Sequence, residues 1–149
     1  MFLAGPPPLK AATGEIATDE ELGGAEMHAQ TAGTAEFLAE DDSDAIRMMR
    51  DMVKQVPWNE QLNSSVERNW KEPKYSAEEL IGVVPADSKT PYDVREIVAR
   101  IADGSDFVDF KSEFDNQTVC GFFKIEGHAC GLIGNNGPIT PKGAAKAAQ

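Results

Sequence analysis

The chain has 149 residues, 25 acidic against 14 basic side chains for a net charge of −11, 41% hydrophobic residues and two cysteines. A chain of this length and composition supports one ordinary hydrophobic core, which excludes disorder throughout. The negative balance excludes sequence-independent nucleic-acid binding, and no run of about 18 apolar residues is available to span a membrane.

In chain order, Met1-Phe2-Leu3 is strand-like and turns into Gly5-Pro6-Pro7-Pro8, where proline forbids a continuing strand. Leu9–Ala12 then reads as about one helical turn before Thr13-Gly14. Thr18-Asp19-Glu20-Glu21 is a capping box with Thr18 as N-cap, ended almost at once by Gly23-Gly24. Two adjacent glycines suggest a backbone that something else approaches closely. The clearest helix is predicted over 44–56, with Ser43 as cap and Ile46, Met49, Val53 and Val56 on one apolar face, widened by Met48 and Met52 as core filler. Pro57 stops it. Residues 58–75 lack periodicity and read as a linker, which places a domain boundary there.

The second half restarts with two further boxes, Ser76-Ala77-Glu78-Glu79 and Asp93-Val94-Arg95-Glu96. The helix after the latter presents Val94, Ile97, Val98 and Ile101 on one face and runs to Gly104; Asp93, Arg95 and Arg100 read as structural, a cap and helix-surface pairs. Phe107, Phe110 and Phe114 recur at helical spacing and predict another amphipathic turn or two. The period then changes. Thr118–Ile125 and Ala129–Ile133 flank Glu126-Gly127-His128 as a hairpin, Asn135-Asn136-Gly137-Pro138 breaks the second strand, and a helix begins near Pro141. Helices followed by strands and glycine turns predict an α/β unit. Both ends look interior: the chain opens on apolar residues and closes on an uncapped helix start, so 149 residues is expected to be the length of a piece.

Chemistry is sparse. His28 and His128 form no metal-ligand pair, Cys120 and Cys130 lack metal or redox spacing, and no nucleophile–base arrangement stands out, so neither a metal site nor a catalytic side chain is expected. The free thiols suit a reducing compartment. From Gly127 to Gln149 there is no acidic residue, while Lys142 and Lys146 stand one helical turn apart beside a helix start. Two readings stay open there: a site for an anion, or two lysines facing solvent. The turn Gly134-Asn135-Asn136-Gly137 follows a buried-looking strand, where ligands of α/β sheets sit, or it is an ordinary turn.

In one order, Phe2–Pro7, Leu9–Glu15 and Glu21–His28 resemble the N-terminal carboxyltransferase domain of the β subunits of biotin-dependent acyl-CoA carboxylases. Tyr92–Ser105 and Gly131–Gly137 resemble the opening of the C-terminal carboxyltransferase domain, so the match spans nearly the whole chain and divides it into 1–72 and 73–149. Pro8 stands where many relatives carry an aliphatic residue. Asn135-Asn136-Gly137 is similar to the branch acting on branched unsaturated acyl-CoAs, the methylcrotonoyl-CoA and geranyl-CoA carboxylases, and Ile139–Gln149 to its geranyl-type version.

The resemblance implies a crotonase-like carboxyltransferase fold and transfer of a carboxyl group from carboxybiotin, carried by a biotin-carboxylase and biotin-carrier α subunit, to an acyl-CoA. It implies a homo-oligomer of β subunits, no nucleic-acid or membrane partner, and a bacterial cytoplasm or a mitochondrial matrix. Backbone oxyanion holes would stabilise the enolates, and both glycine-rich loops are expected beyond the residues given, so the chain alone should be inactive. The residues expected nearest acyl-CoA or biotin are Asn135, Asn136, Gly137 and Lys142, with Gly23 and Gly24 as a second candidate at an active-site interface. Two rival readings are a related decarboxylase subunit and a non-catalytic interaction module of the same fold.

Overall fold

The computed structural model describes residues 3–56 and 70–149; the strand expected at Met1-Phe2, the stop at Pro57 and the linker's positions 58–69 lie outside them. Helix α1 is Pro6–Thr13, longer than the turn expected over 9–12. The first amides of any helix lack partners, so three leading prolines are tolerated there and preset φ. Gly14, at φ 80°, closes the helix by donating to Lys10 O. Helix α2, Asp19–Gly23, has the expected box complete: Glu21 N–H donates to Thr18 Oγ1 at 3.2 Å and Thr18 N–H to Glu21 Oε2 at 2.8 Å. A π-helical turn, Met27–Ala32, follows and ends on Gly33 at φ 65°; nothing in the sequence pattern announced it.

Helix α3 is Asp42–Gln55, and its cap is Asp41, not Ser43: Asp41 Oδ1 accepts Asp44 N–H at 2.8 Å. A charged carboxylate at this position also meets the positive end of the helix dipole. The apolar face is corrected too. Ile46, Met49, Val53 and Val56 are 46–62% exposed, whereas Met48 and Met52 are half-buried. Met48 lines a shallow groove with Phe37 and Phe107, so the helix docks through the edge of its stripe. On its polar side Asp44, Arg47, Asp51 and Lys54 form a ladder of exposed ion pairs at 2.6–3.3 Å.

Both boxes expected in the second half are incomplete, for one shared reason. Ser76 Oγ accepts Glu78 N–H at 3.2 Å, opening the 3₁₀ turn Ala77–Glu79 and helix α4, Leu80–Val83. Asp93 Oδ1 accepts Arg95 N–H at 2.9 Å at the start of helix α5, Arg95–Ile101. The glutamates that would complete the boxes, Glu79 and Glu96, are instead both held by Arg100 at 2.8 Å. Helix α5 stops before Ala102, and Gly104 takes φ 60° in the 3₁₀ turn Asp103–Ser105 that follows. Part of the expected linker packs here: Gly104 N–H donates to Lys71 O, Lys74 N–H to Ser105 Oγ, and Arg100 lies 5.3 Å over the Tyr75 ring.

Where an amphipathic turn is expected around the three phenylalanines, a short strand runs through Phe110 and a turn holds Phe114. β1, Val108–Phe110, pairs antiparallel with β2, Thr118–Ile125, in the register Asp109↔Gly121. Cross-strand hydrogen bonding overrides a helical spacing that only three rings supported. β2 pairs in turn with β3, His128–Asn135, giving the order β1-β2-β3. The hairpin is tighter than expected. His128 is already paired with Ile125, and Glu126-Gly127, at φ 49° and 76°, form the two-residue turn whose twist suits a hairpin. Asp103 secures it, accepting both Glu126 and Gly127 N–H at 2.8 Å. Helix α6, Pro141–Ala147, begins at Thr140, whose hydroxyl accepts Gly143 N–H.

Alternation along β2 assigns one helix to each face of the sheet. Val98 and Ala102 of the α5 region bury Phe123, with Ile101, Phe107, Ile125, Cys130 and Leu132 packed around them. The other face carries Thr118 and Cys120 toward α6, and Phe122 and Ile133 on it are 51% and 70% exposed. The first residues are tied on by Lys111, itself buried. Its ammonium donates to Gly33 O and to Gln149 Oε1, and its main-chain N–H to Glu36 O at 3.1 Å. The Phe114 ring lies where a side chain on Gly33 would stand.

Candidate functional site

The end of β3 and the loop before α5 enclose a polar cleft of about 530 Å³, lined by residues 88–92 on one wall and 135–138 on the other. The turn wall is built from its own amides. Asn136 N–H donates to Gln117 O at 2.7 Å, Asn136 Oδ1 accepts Val94 N–H at 2.8 Å, and Asn135 Nδ2 donates to Gly137 O at 3.0 Å. Asn135 is exposed, whereas Asn136 is half-buried and its side chain is engaged by the protein. The Gln117 side-chain amide occupies the space a Cβ on Gly137 would take. The Val94 methyls likewise lie 3.1 Å from where a Cβ on Gly134 would be.

Opposite the turn, Ser88, Lys89 and Thr90 supply hydroxyls and one exposed ammonium. The cleft can therefore offer hydrogen bonds and a positive charge to a polar, anionic ligand. Sequence reasoning passed over this wall and over Gln117. The available signal was the turn-rich run 85–92, bracketed by Pro85 and Pro91.

The remaining expected residues lie elsewhere. Lys142 Nζ donates to Gln30 O at 3.1 Å and sits 5.2 Å over the Phe114 ring. Lys146 does not face solvent: it is 1% exposed and donates to Asp115 O at 3.3 Å. Burial pushes its pKa down, against the opposing pull of Asp109 and the Cys120 thiol, whose own pKa burial raises. Nor is the acid-free stretch acid-free in space, because Thr140 Oγ1 donates to Asp115 Oδ1 at 2.9 Å. Gly23 is buried. Gly24 leaves room for the chain's own Glu20, whose carboxylate fills the space a side chain would take and accepts Glu26 N–H at 2.9 Å. The neighbouring hollow, lined by Glu20, Ala25, Glu26, Glu40 and Glu113, shares no residue with the Asn135 cleft. Among the described residues, no group of three or more His, Cys, Asp or Glu is arranged to hold a metal ion, and no helix is long and apolar enough to cross a membrane.

With this geometry in hand, comparison with known proteins is decisive. The model of the carboxyl transferase domain matches residues 1–149. The chain belongs to the carboxyl transferase domain family. Over 149 residues it is 45% identical to the biotin-dependent 3-methylcrotonyl-coenzyme A carboxylase β1 subunit of Mycobacterium tuberculosis, all of the chain matching 28% of that protein. It is 43% identical to the mitochondrial methylcrotonoyl-CoA carboxylase β chain of Dictyostelium discoideum, covering 25% of it.

Among solved structures, the geranyl-CoA carboxylase β subunit of P. aeruginosa is 71% identical over 99% of the chain and 27% of its own length, with a TM-score of 0.53. The transcarboxylase 12S subunit, solved as a hexamer with hydrolysed methylmalonyl-coenzyme A bound, is 33% identical with a TM-score of 0.83, over 99% of this chain and 30% of that one. The carboxyl transferase chain thus has the crotonase-like fold expected of it, and it spans little more than a quarter of the curated relatives it matches.

Proposed function

We propose that this chain serves the transfer of a carboxyl group from carboxybiotin to a branched unsaturated acyl-CoA, as part of an acyl-CoA carboxylase β subunit. The observation that carries this reading is the Asn135–Gly137 turn. It walls a polar cleft with a cation at its rim, in a chain 71% identical to a geranyl-CoA carboxylase β subunit. Residues 1–72 would close one carboxyltransferase domain and 73–149 open the next, with the biotin carried by a partner α subunit and β subunits assembled together. The anionic coenzyme A or the biotin ureido group would use the amides of the turn, Lys89 and the Ser88 and Thr90 hydroxyls. Lys142, Gly23 and Gly24 would act through packing. Backbone oxyanion holes would supply the enolate stabilisation, which requires no side-chain nucleophile.

The test is to express the reading frame containing this chain with its biotin-carrying partner and to follow bicarbonate- and ATP-dependent carboxylation. Turnover of geranyl-CoA or methylcrotonoyl-CoA in preference to propionyl-CoA is expected, and none from the 149-residue chain alone. Absence of carboxylation of every acyl-CoA by the assembled enzyme, or turnover by the isolated chain, would overturn the reading.

A further inference from the structure

We propose that Arg95, acting through Asp93 and Asp109, is a positioning residue that fixes the Asn135–Gly137 turn against helix α5 for ligand binding. The inference rests on the reading that this turn faces acyl-CoA or carboxybiotin. A continuous set of contacts runs from the cleft to the sheet. Arg95 Nε donates to Asp109 Oδ2 at 2.7 Å and its Nη2 reaches the same oxygen at 2.6 Å, while Nη1 reaches Asp93 Oδ2 at 3.2 Å. Asp109 lies in β1, paired with Gly121, so one guanidinium pins the start of α5 to the sheet.

Between these two carboxylates and the turn stands Val94. Its N–H holds Asn136 Oδ1 at 2.8 Å and its methyls rest on Gly134, so β3 meets α5 at two points of one residue. The Asn136 amide in turn helps keep the Asp93 carboxylate ionised. With both ends of its amide engaged, Asn136 orients the turn and so places the exposed Asn135, bonded to Gly137 O, at the wall of the cleft. The planar five-donor fork of arginine spans two carboxylates at fixed angles, which a lysine ammonium does not reproduce. Both partners are partly withdrawn from water, where such a pair holds geometry better than on an open surface.

The same helix supplies the control. Arg100 also bridges two carboxylates, Glu79 and Glu96, yet none of its contacts leads to the turn. In the full-length subunit assembled with its partner, Arg95→Ala is expected to raise KM for the acyl-CoA or the carboxybiotin donor about tenfold with kcat within about twofold. Arg100→Ala is expected to lower the melting temperature comparably and leave both KM values unchanged. Arg95→Lys replaces Arg95→Ala if the latter does not fold, and the same shift is expected from it. Equal KM values in the Arg95 and Arg100 variants would overturn the proposal.

Hydrogen exchange at the Val94 and Asn136 amides, measured in the same proteins, separates this idea from the functional reading. If the wild type carboxylates nothing, the functional reading falls. Faster exchange in the Arg95 variant alone would still support the positioning, and unchanged exchange would overturn it.

Discussion

Helices α3 and α5 carry the same kind of apolar stripe, and the fold treats them oppositely. In α5, Val98 is 1% exposed and lies on Phe123 with Ala102. In α3, Ile46 and Met49 are 54% and 62% exposed, and Met48 with Met52 makes the half-buried edge. A hydrophobic period states which residues share a face; what covers that face is decided by tertiary pairing. Residues 70–149 pack a sheet against α5, whereas α3 meets its neighbours across open hollows, one beside Phe37 and Phe107 and one where Lys54 and Gln55 face Trp70 and Lys71.

The sharpest way to break this contrast is matched truncation. Phe123→Ala is expected to cost about 3–5 kcal/mol, through lost burial and a cavity under α5, whereas Met49→Ala is expected to cost about 0.5 kcal/mol or less. Urea unfolding of the two variants checks it, and similar losses would mean that α3 is covered as thoroughly as α5. A smaller effect is expected where the two regions meet. Gly33→Ala forces a β-carbon into a left-handed residue and against the Phe114 ring, for about 2–4 kcal/mol. Loss of protease protection in residues 3–56 before residues 70–149 would show that the joint, and not either region, has opened.

The smallest effect is on the acid side. Burial pushes the Asp93 carboxyl up, but the Arg95 N–H, the Asn136 amide and the Arg95 charge outweigh it and hold its pKa below the ordinary value. Glu21 is lowered by the Thr18 N–H and then by the Thr18 hydroxyl. Each carboxylate therefore stabilises the fold above its unfolded pKa of about 4, and that contribution disappears as pH falls through the lower folded value. Stability measured from pH 5 to pH 2 should fall less steeply in Asp93→Asn than in the wild type. Glu21→Gln should flatten the slope in the same direction but less, because its carboxylate stays in water, where its interactions are screened.

Much of this was legible in the sequence wherever a local rule acted alone. The Thr18–Glu21 box, the hairpin of β2 and β3 and the Thr140-led helix are set by neighbours within a few residues. The failures share a cause. Glu79 and Glu96 left their boxes for Arg100, the residues around Phe110 became a strand because β2 offered partners, and Lys146 was drawn inward beside Asp115. At the cleft, the Asn135–Gly137 wall was visible as a turn motif. The wall made by Ser88, Lys89 and Thr90 was not, because it joins the site only through the fold.

The Lys111 tie has a consequence for the order in which structure arises. Its ammonium and the Gly33 carbonyl are separated by 78 residues, and the Lys142 bond to Gln30 by 112. The hairpin and α5 close short loops and form early, whereas the ties of residues 27–36 to Lys111 and Phe114 close long ones. These long-range ties therefore form after the local ones, and Lys111 acts as a latch of assembly as much as a buried charge.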